Sequence, residues 1–469
     1  MTSLDQTDSD SPSSQADHVG IRDLDRAGKL RSLRAAIVGN LLEWFDWTLY
    51  ALFSTYIAAS FFDSGDPTSA LLSTLLVFAG GFLARPIGGL VFGRLADRKG
   101  RKFSLVATMM TMAAGSLVIA LIPSYTAIGV WSSVLLLAAR LMQGLAHGGE
   151  AGTSYAYIAE IAPREKRGFW ASSVFTAVTV GVMTATLLAA LITGILPKDA
   201  VGAWGWRVAF VIGALLGVYA LFLRRNAAET IELEPDTAES AAVETEQVSD
   251  AERRRRRRLI LRFGGLVLML SAGQNAWYYT WGTFASSYAI SSHGMDANGA
   301  FIASLLAQLV TVCFLPFAGR LSDRIGRRPM MMTFGLGSAA LVFPIHALLG
   351  QASWTLFVSQ AIGMLLWACA AGMYPALMSE LVSTRTRAAG VGFATSLSVA
   401  LFGGTAPYLN TWFTSVGQPW IFQIYVAALC VLAFFAAWIM PETKGINLAD
   451  DDVIQAEGGL EAAGAAKEA

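Results

Sequence analysis

Three cysteines in 469 residues leave no basis for a disulfide framework. Cys313, Cys369 and Cys430 each stand alone in an apolar run, without CxxC or metal-ligand spacing, and read as small core residues. No metal site is therefore expected. Charge is scarce too: 14% of residues are Asp, Glu, Lys or Arg, against about 25% in soluble proteins. That excludes a chain built mainly for water. Lys plus Arg equals Asp plus Glu, 34 of each, so net charge gives no case for nucleic acid. No nucleotide-binding glycine loop and no Ser/His/Asp pattern appears, so neither an enzyme nor an ATP-driven pump is expected, and no cofactor is implied. Residues 1–30 are rich in Ser and Asp and lack the apolar centre of a signal peptide, which predicts a disordered tail.

What the chain does have is hydrocarbon. Hydrophobic residues make up 54% of it, and its mean hydropathy is +0.51. Apolar runs long enough to cross a core of about 30 Å as helices lie near 33–60, 69–95, 103–123, 129–160, 167–195, 204–224, 259–290, 297–321, 329–349, 354–381, 388–413 and 418–440. One long polar interruption, 225–258, parts six runs from six. The expected organisation is a cytoplasmic tail (1–30), a six-helix bundle (31–224), a charged linker (225–258), a second bundle (259–442) and a tail (443–469). Cations set the orientation. With both termini cytoplasmic, Arg31, Arg34, Arg164, Lys166, Arg167, the run Arg253 to Arg258, Arg385 and Arg387 share one side, against Lys198 on the other. The arginine run reads as a topology anchor at the lipid surface.

The two halves echo each other. Gly93-Arg94-Leu95-Ala96-Asp97-Arg98-Lys99-Gly100-Arg101-Lys102 returns 226 residues later as Gly319-Arg320-Leu321-Ser322-Asp323-Arg324-Ile325-Gly326-Arg327-Arg328, each copy between two apolar runs. A second echo sets Glu160 before Arg167 as Glu380 stands before Arg387. Duplication of this kind marks a carrier made of two similar bundles. In each copy the aspartate can pair with arginines and with a helix N-terminus, while Gly100 and Gly326 permit the turn. Gly93, Asp97, Arg98, Gly100, Arg101, Gly319, Asp323, Arg324, Gly326 and Arg327 are thus the candidate gating hinges.

These hinges resemble the signature loop of the Major Facilitator Superfamily, over residues 30–445. Gly39-Asn40-Leu41-Leu42-Glu43-Trp44-Phe45-Asp46, Arg85-Pro86-Ile87-Gly88-Gly89, Arg140-Leu141-Met142-Gln143-Gly144, Gly148-Gly149-Glu150 and Trp204-Gly205-Trp206-Arg207 resemble its metabolite:proton symporter family. Gly294-Met295 and Phe402-Gly403-Gly404-Thr405-Ala406 are similar to the α-ketoglutarate permease branch. The resemblance implies an all-α membrane fold of twelve helices in two pseudo-two-fold-related bundles, working by alternating access. It also implies a carboxylate–arginine pair like that of proton-coupled sugar porters, at Asp46 and Arg140.

An ionisable group at the centre of a membrane helix costs at least about 2.5–3.5 kcal/mol, so each is a functional candidate. They cluster in the first half. Arg140, Gln143, His147 and Glu150 fall within a sector of about 80° on one helix face. Asn40, Glu43 and Tyr50 form a second stripe, with Asp46 at its edge. Asp46, Glu43, Arg140 and Glu150 are candidates for proton coupling; a fixed structural ion pair is the competing reading of Asp46 and Arg140. His147 reads as a satisfied interior histidine. Arg85, before Pro86 and beside Gly81 and Gly89, suits capture of a carboxylate. Arg140, Gln143, Tyr50, Arg207, Gln274, Asn275 and Tyr278 complete the expected substrate-binding set, Arg207 leaning to a structural role. The expected function is symport of a proton with a small organic acid, such as the dicarboxylate α-ketoglutarate, by a functional monomer in the cell membrane. Alternatives are a zwitterion such as proline or betaine, which the absence of heptads after Met440 disfavours, an aromatic or polyol carboxylate, or a sensor or channel without turnover.

Overall fold

The computed structural model describes residues 26–63, 65–99, 101–148, 155, 158–159, 162–225, 250–382, 387–446 and 448, with backbone alone at 26–38, 90, 93–94, 96–99, 101–102, 104–105, 220–225, 250–261 and 387–390. Glu150 and Gly100 therefore lie outside the described residues, as do the side chains of Asp97, Arg98 and Arg101. Among the described residues there is no strand.

The helices of the first half are α1 (Arg26–Leu52), α2 (Ser54–Phe61), α3 (Pro67–Leu83), α4 (Arg85–Lys99), α5 (Arg101–Leu121), α6 (Trp131–His147), α7 (Arg167–Ile195) and α8 (Trp206–Arg225). Those of the second half are α9 (Asp250–Tyr278), α10 (Ala285–His293), α11 (Ala297–Ile325), α12 (Arg327–Ala347), α13 (Ser353–Ala371), α14 (Tyr374–Glu380), α15 (Arg387–Ser398), α16 (Ala406–Ser415) and α17 (Pro419–Ile439). They are more numerous than the apolar runs because several spans are broken. The fold is that of twelve spans: α1 with α2, α3 with α4, α9 with α10, α13 with α14, and α15 with α16 each make one. Seven stretches of the described residues are both long and apolar enough to cross a membrane, and this is a multi-pass membrane protein.

Two of the breaks follow the repeat. Phe53 leaves helical geometry between α1 and α2, and a bend at Phe284 precedes α10, at the same stage of each bundle's first span. Gly148 ends α6 as Gly372 ends α13. Single π-helical turns at Tyr279–Thr283 and Val399–Gly403 add further irregular backbone in the second half. Such turns expose carbonyls toward the bundle interior, which lipid would not tolerate. One boundary differs from expectation. Helix α9 starts at Asp250, so the run Arg253 to Arg258 continues the seventh span as helix. Arginine is a good helix former and no Gly or Pro interrupts the segment.

The bundles meet at both ends. At the end carrying the hinges, Asp323 on α11 accepts the N–H groups of Gly168 (2.7 Å) and Phe169 (2.9 Å) at the start of α7. At the opposite end, Ser287 of α10 donates to the Ala51 carbonyl (2.6 Å), Asn298 of α11 to the Ala190 carbonyl (2.8 Å), and the Phe53 and Phe301 rings lie 6.3 Å apart.

Candidate transport site

Inside the first bundle, α1, α5 and α6 bring four polar side chains into one chain of hydrogen bonds. Ser116 donates to Asp46 Oδ1. Gln143 Nε2 donates to Asp46 Oδ2 at 2.7 Å and lies 2.9 Å from Ser116 Oγ. Arg140 Nη1 donates to Gln143 Oε1 at 2.8 Å. The direct Asp46–Arg140 pair expected from the sequence is thus replaced by a bridged one. Arg140 turns its guanidinium toward aromatic faces instead, 3.9 Å from the Trp47 ring centre and 4.3 Å from that of Tyr50. Gln143, expected to face the substrate, is fully buried with its carboxamide engaged by these partners. A cavity of about 30 Å³, room for roughly one water, reaches Asp46, Glu43 and Ser116 between α1, α5 and α8. One turn before Asp46, Glu43 Oε1 meets His147 Nδ1 across α1 and α6.

Arg85 sits at the break between α3 and α4, 4.4 Å from the Phe82 ring centre and 4.6 Å from that of Trp47. Both it and Arg140 are buried, at 6% and 0% exposure. Nε and Nη2 of each guanidinium find no hydrogen-bond partner among the described residues, nor do the hydroxyls of Tyr278 and Tyr279. Of these tyrosines, both from the second bundle, Tyr279 lies near the two arginines. Tyr279 lies 5.1 Å from Phe82 by ring centres, and Tyr278 5.4 Å from Trp44 while stacking on Trp367 at 4.6 Å. Buried donors left unpaired are costly. Four such nitrogens lie on the first bundle and two such hydroxyls on the second.

Glycine sets how deep the arginines lie. Any Cβ on Gly88, Gly144 or Gly148 would overlap the backbone of Leu145, Gly81 or Arg85 respectively, so α3 and α4 touch α6 backbone to backbone. The glycine-lined face beside Arg85 is filled by a helix. Gly144→Ala accordingly lowers the thermal unfolding midpoint in detergent, through overpacking of about 1–3 kcal/mol; an unchanged midpoint refutes this contact.

Other candidates are placed elsewhere. Arg207 donates to the carbonyls of Ala120 (2.9 Å) and Ile122 (2.6 Å), capping the end of α5, a structural task of the kind its sequence position leaned to. The Tyr50 hydroxyl donates to the Thr74 carbonyl at 3.0 Å, leaving only its ring toward Arg140. Asn275 donates to Ser398 (3.1 Å), tying α9 to α15, and Gln274 is buried beside it. Of the second hinge, Arg327 Nη1 donates to Asp323 at 2.9 Å, Gly319 packs against the Gly168 backbone, and Arg324 offers its carbonyl to Lys444 at 2.7 Å while its side chain is exposed. Gly326 turns at φ 106°, and the Glu442 carboxylate fills the space a Cβ would take, accepting Arg327 N (2.7 Å) and Arg328 N (3.1 Å).

A family model for sugar (and other) transporters matches residues 32–453. The chain belongs to that family. This transporter is 37% identical over 427 residues to the alpha-ketoglutarate permease of Escherichia coli (strain K12), covering 90% of this chain and 96% of that one. It is 34% identical over 381 residues to the citrate-proton symporter of Klebsiella pneumoniae, covering 80% and 83%. A Staphylococcus aureus (strain COL) protein named as a proline/betaine transporter is 32% identical over 417 residues, 86% of each chain. The proton:xylose symporter XylE shares the fold, with a TM-score of 0.73 at 18% identity over 92% of this chain and 100% of that one.

Several residues of the transporter's interior escaped sequence reasoning. Tyr279 falls outside the expected substrate-binding set, yet it is near enough to Arg85 and Arg140 to feel their charge. Trp47 carries both guanidiniums on its ring, and Ser116 holds Asp46, yet neither stood on a polar stripe with a partner legible in sequence. The echo of Glu160 and Arg167 in Glu380 and Arg387 conceals a crossed pairing. Glu380 binds Arg167 from the other bundle (3.0 Å) and Arg327 from its own (3.3 Å).

Proposed function

We propose that this transporter carries a small di- or tricarboxylate, of the α-ketoglutarate class, together with protons across the cell membrane, with both termini cytoplasmic. The observation that supports it is the pair of buried arginines with unpaired nitrogens, beside Tyr279 of the second bundle, whose hydroxyl is likewise unpaired. Guanidinium forks match carboxylates in shape and charge. Arg85 and Arg140 grip the acid from the first bundle; Tyr278 and Tyr279 contact it from the second and draw the bundles together. A zwitterion offers one carboxylate to two guanidiniums and leaves a buried charge unpaired, which disfavours the betaine-type alternative.

Asp46 takes the coupling proton, with Glu43 and His147 one turn away as a second titratable pair. The proton offsets the cost of moving an anion against an inside-negative potential, about 2.3 kcal/mol per charge per 100 mV. Asp323, Arg327, Glu380 and Glu442 form the cytoplasmic latch, and the bundles rock about the central site in alternating access. No cofactor is needed, and one chain contains the whole pathway, which agrees with a functional monomer.

The test is uptake of labelled α-ketoglutarate, citrate and betaine into proteoliposomes, with and without an imposed pH gradient. Gradient-driven accumulation of a di- or tricarboxylate is expected. Accumulation indifferent to the gradient, or confined to betaine, overturns the reading. Arg85→Lys keeps the charge but loses the fork, so the half-saturation concentration rises about tenfold or more. An unchanged value in the same vesicles removes Arg85 from the binding set.

A further inference from the structure

Gln143 is held in one orientation by chemistry at both ends. An ionised Asp46 only accepts hydrogen bonds and Arg140 only donates them. The carboxamide therefore points its NH2 group at Asp46 Oδ2 (2.7 Å) and its oxygen at Arg140 Nη1 (2.8 Å). It is wholly buried, and Gly115 leaves the space for its chain, since a Cβ there would lie 2.5 Å from Gln143 Cγ. Ser116 on Asp46 Oδ1 has a hydroxyl that can donate or accept, whereas the partner of Oδ2 is an NH2 group that only donates, so Oδ2 is the oxygen whose protonation the amide must answer.

We propose that the Gln143 carboxamide is a positioning relay that passes the protonation state of Asp46 to the substrate-binding Arg140; this rests on the transport reading above. When a proton from the medium bonds to Oδ2, the carboxyl becomes a donor facing an NH2 donor. The amide turns over, presents its oxygen to the new O–H, and directs its NH2 group at Arg140. That pair now repels, the Arg140 Nη1 bond is lost, and the guanidinium is released to the substrate carboxylate. Loss of the proton on the other side of the membrane reverses each step, so Arg140 is drawn back and the acid is let go. The groups facing this relay are Glu43 and Tyr50 on the same helix as Asp46, Arg85 at the start of α4, His147 on α6, and Tyr279 from the second bundle. On α5 and α8 the nearest described neighbours of Asp46, Ser116 and Gly213, carry no charge.

The experiment measures half-saturation for counterflow of labelled α-ketoglutarate in proteoliposomes, at equal pH on both sides, from acid to alkaline pH. In the wild-type protein half-saturation rises with pH, because ionised Asp46 recruits the amide that restrains Arg140. Gln143→Met, of similar length with no donor or oxygen acceptor, flattens this dependence near the acid value. Gln143→Glu keeps an acceptor for Arg140 and has no NH2 group to invert, so half-saturation at acid pH rises about tenfold or more. Opposite effects from two substitutions of similar size are not what a packing role produces. A Met variant that keeps the wild-type pH dependence overturns the relay. So does a folded Met variant that loses binding at every pH, which makes Gln143 a substrate ligand. If the Met variant does not fold, the Glu variant decides, and acid half-saturation equal to wild type refutes the proposal. Wild-type vesicles that take up none of these acids contradict the transport reading itself, a different failure.

Discussion

Asp46→Asn reduces gradient-driven accumulation in proteoliposomes to simple equilibration, while exchange of labelled for unlabelled acid continues. Asparagine preserves the shape of the side chain and still accepts the Ser116 hydroxyl, so the packing of α1, α5 and α6 survives. What it loses is the capacity to take a proton. A gradient of one pH unit supplies about 1.4 kcal/mol per proton, roughly tenfold accumulation, and that factor is what the variant forfeits. The two assays separate coupling from binding. Concentrative uptake that survives in Asp46→Asn moves the coupling proton elsewhere, and the adjoining Glu43–His147 pair is the place to look next.

Glu380→Ala produces the largest loss of stability and also unlatches the face that carries the hinges. The carboxylate is fully buried and accepts from Arg167 Nη1 (3.0 Å), Arg327 Nε and Nη2 (3.3 Å each) and Thr443 Oγ1 (2.7 Å). Arg167 comes from the first bundle, so this one group ties the bundles together. Removing a buried partner strands the opposing charges at a cost of about 3–5 kcal/mol. Two guanidiniums are stranded here, although Arg327 retains Asp323 and Arg167 retains two carbonyls. The unfolding midpoint in detergent falls, and a cysteine placed at Phe169 becomes more reactive to a maleimide when the native Cys313, Cys369 and Cys430 have been replaced. Glu380→Gln keeps one acceptor oxygen and gives a smaller change in both. Wild-type midpoint and wild-type reactivity in Glu380→Ala together remove the latch from the mechanism.

Much of the interior was legible before any coordinates. Arg85 and Arg140 stood out because a fixed charge within an apolar run demands a reason, and both prove to be buried. The duplicated hinge showed where the bundles engage, and Asp323 does sit on a helix N-terminus, as its sequence context suggested. Less was legible for Arg207, whose place near a span end leaned to a structural role without showing which one. Two backbone carbonyls decide for the cap, and backbone partners leave no trace in composition or spacing. Trp47 and Ser116 were invisible for a related reason. A tryptophan or serine in a membrane helix is ordinary, and only its neighbours on other helices give it a task.

By itself the sequence determined that this chain lives in a bilayer as two similar halves, with its mid-span arginines in the first. Hydropathy, spacing and repetition are properties of the chain taken in order, and they suffice for that. The tertiary structure alone decided who meets whom: Gln143 between Asp46 and Arg140, and Glu380 reaching across to Arg167. Helical periodicity fixes the face a side chain occupies. Its partner is chosen by how closely two backbones approach, and here glycines on α3, α4 and α6 set that distance.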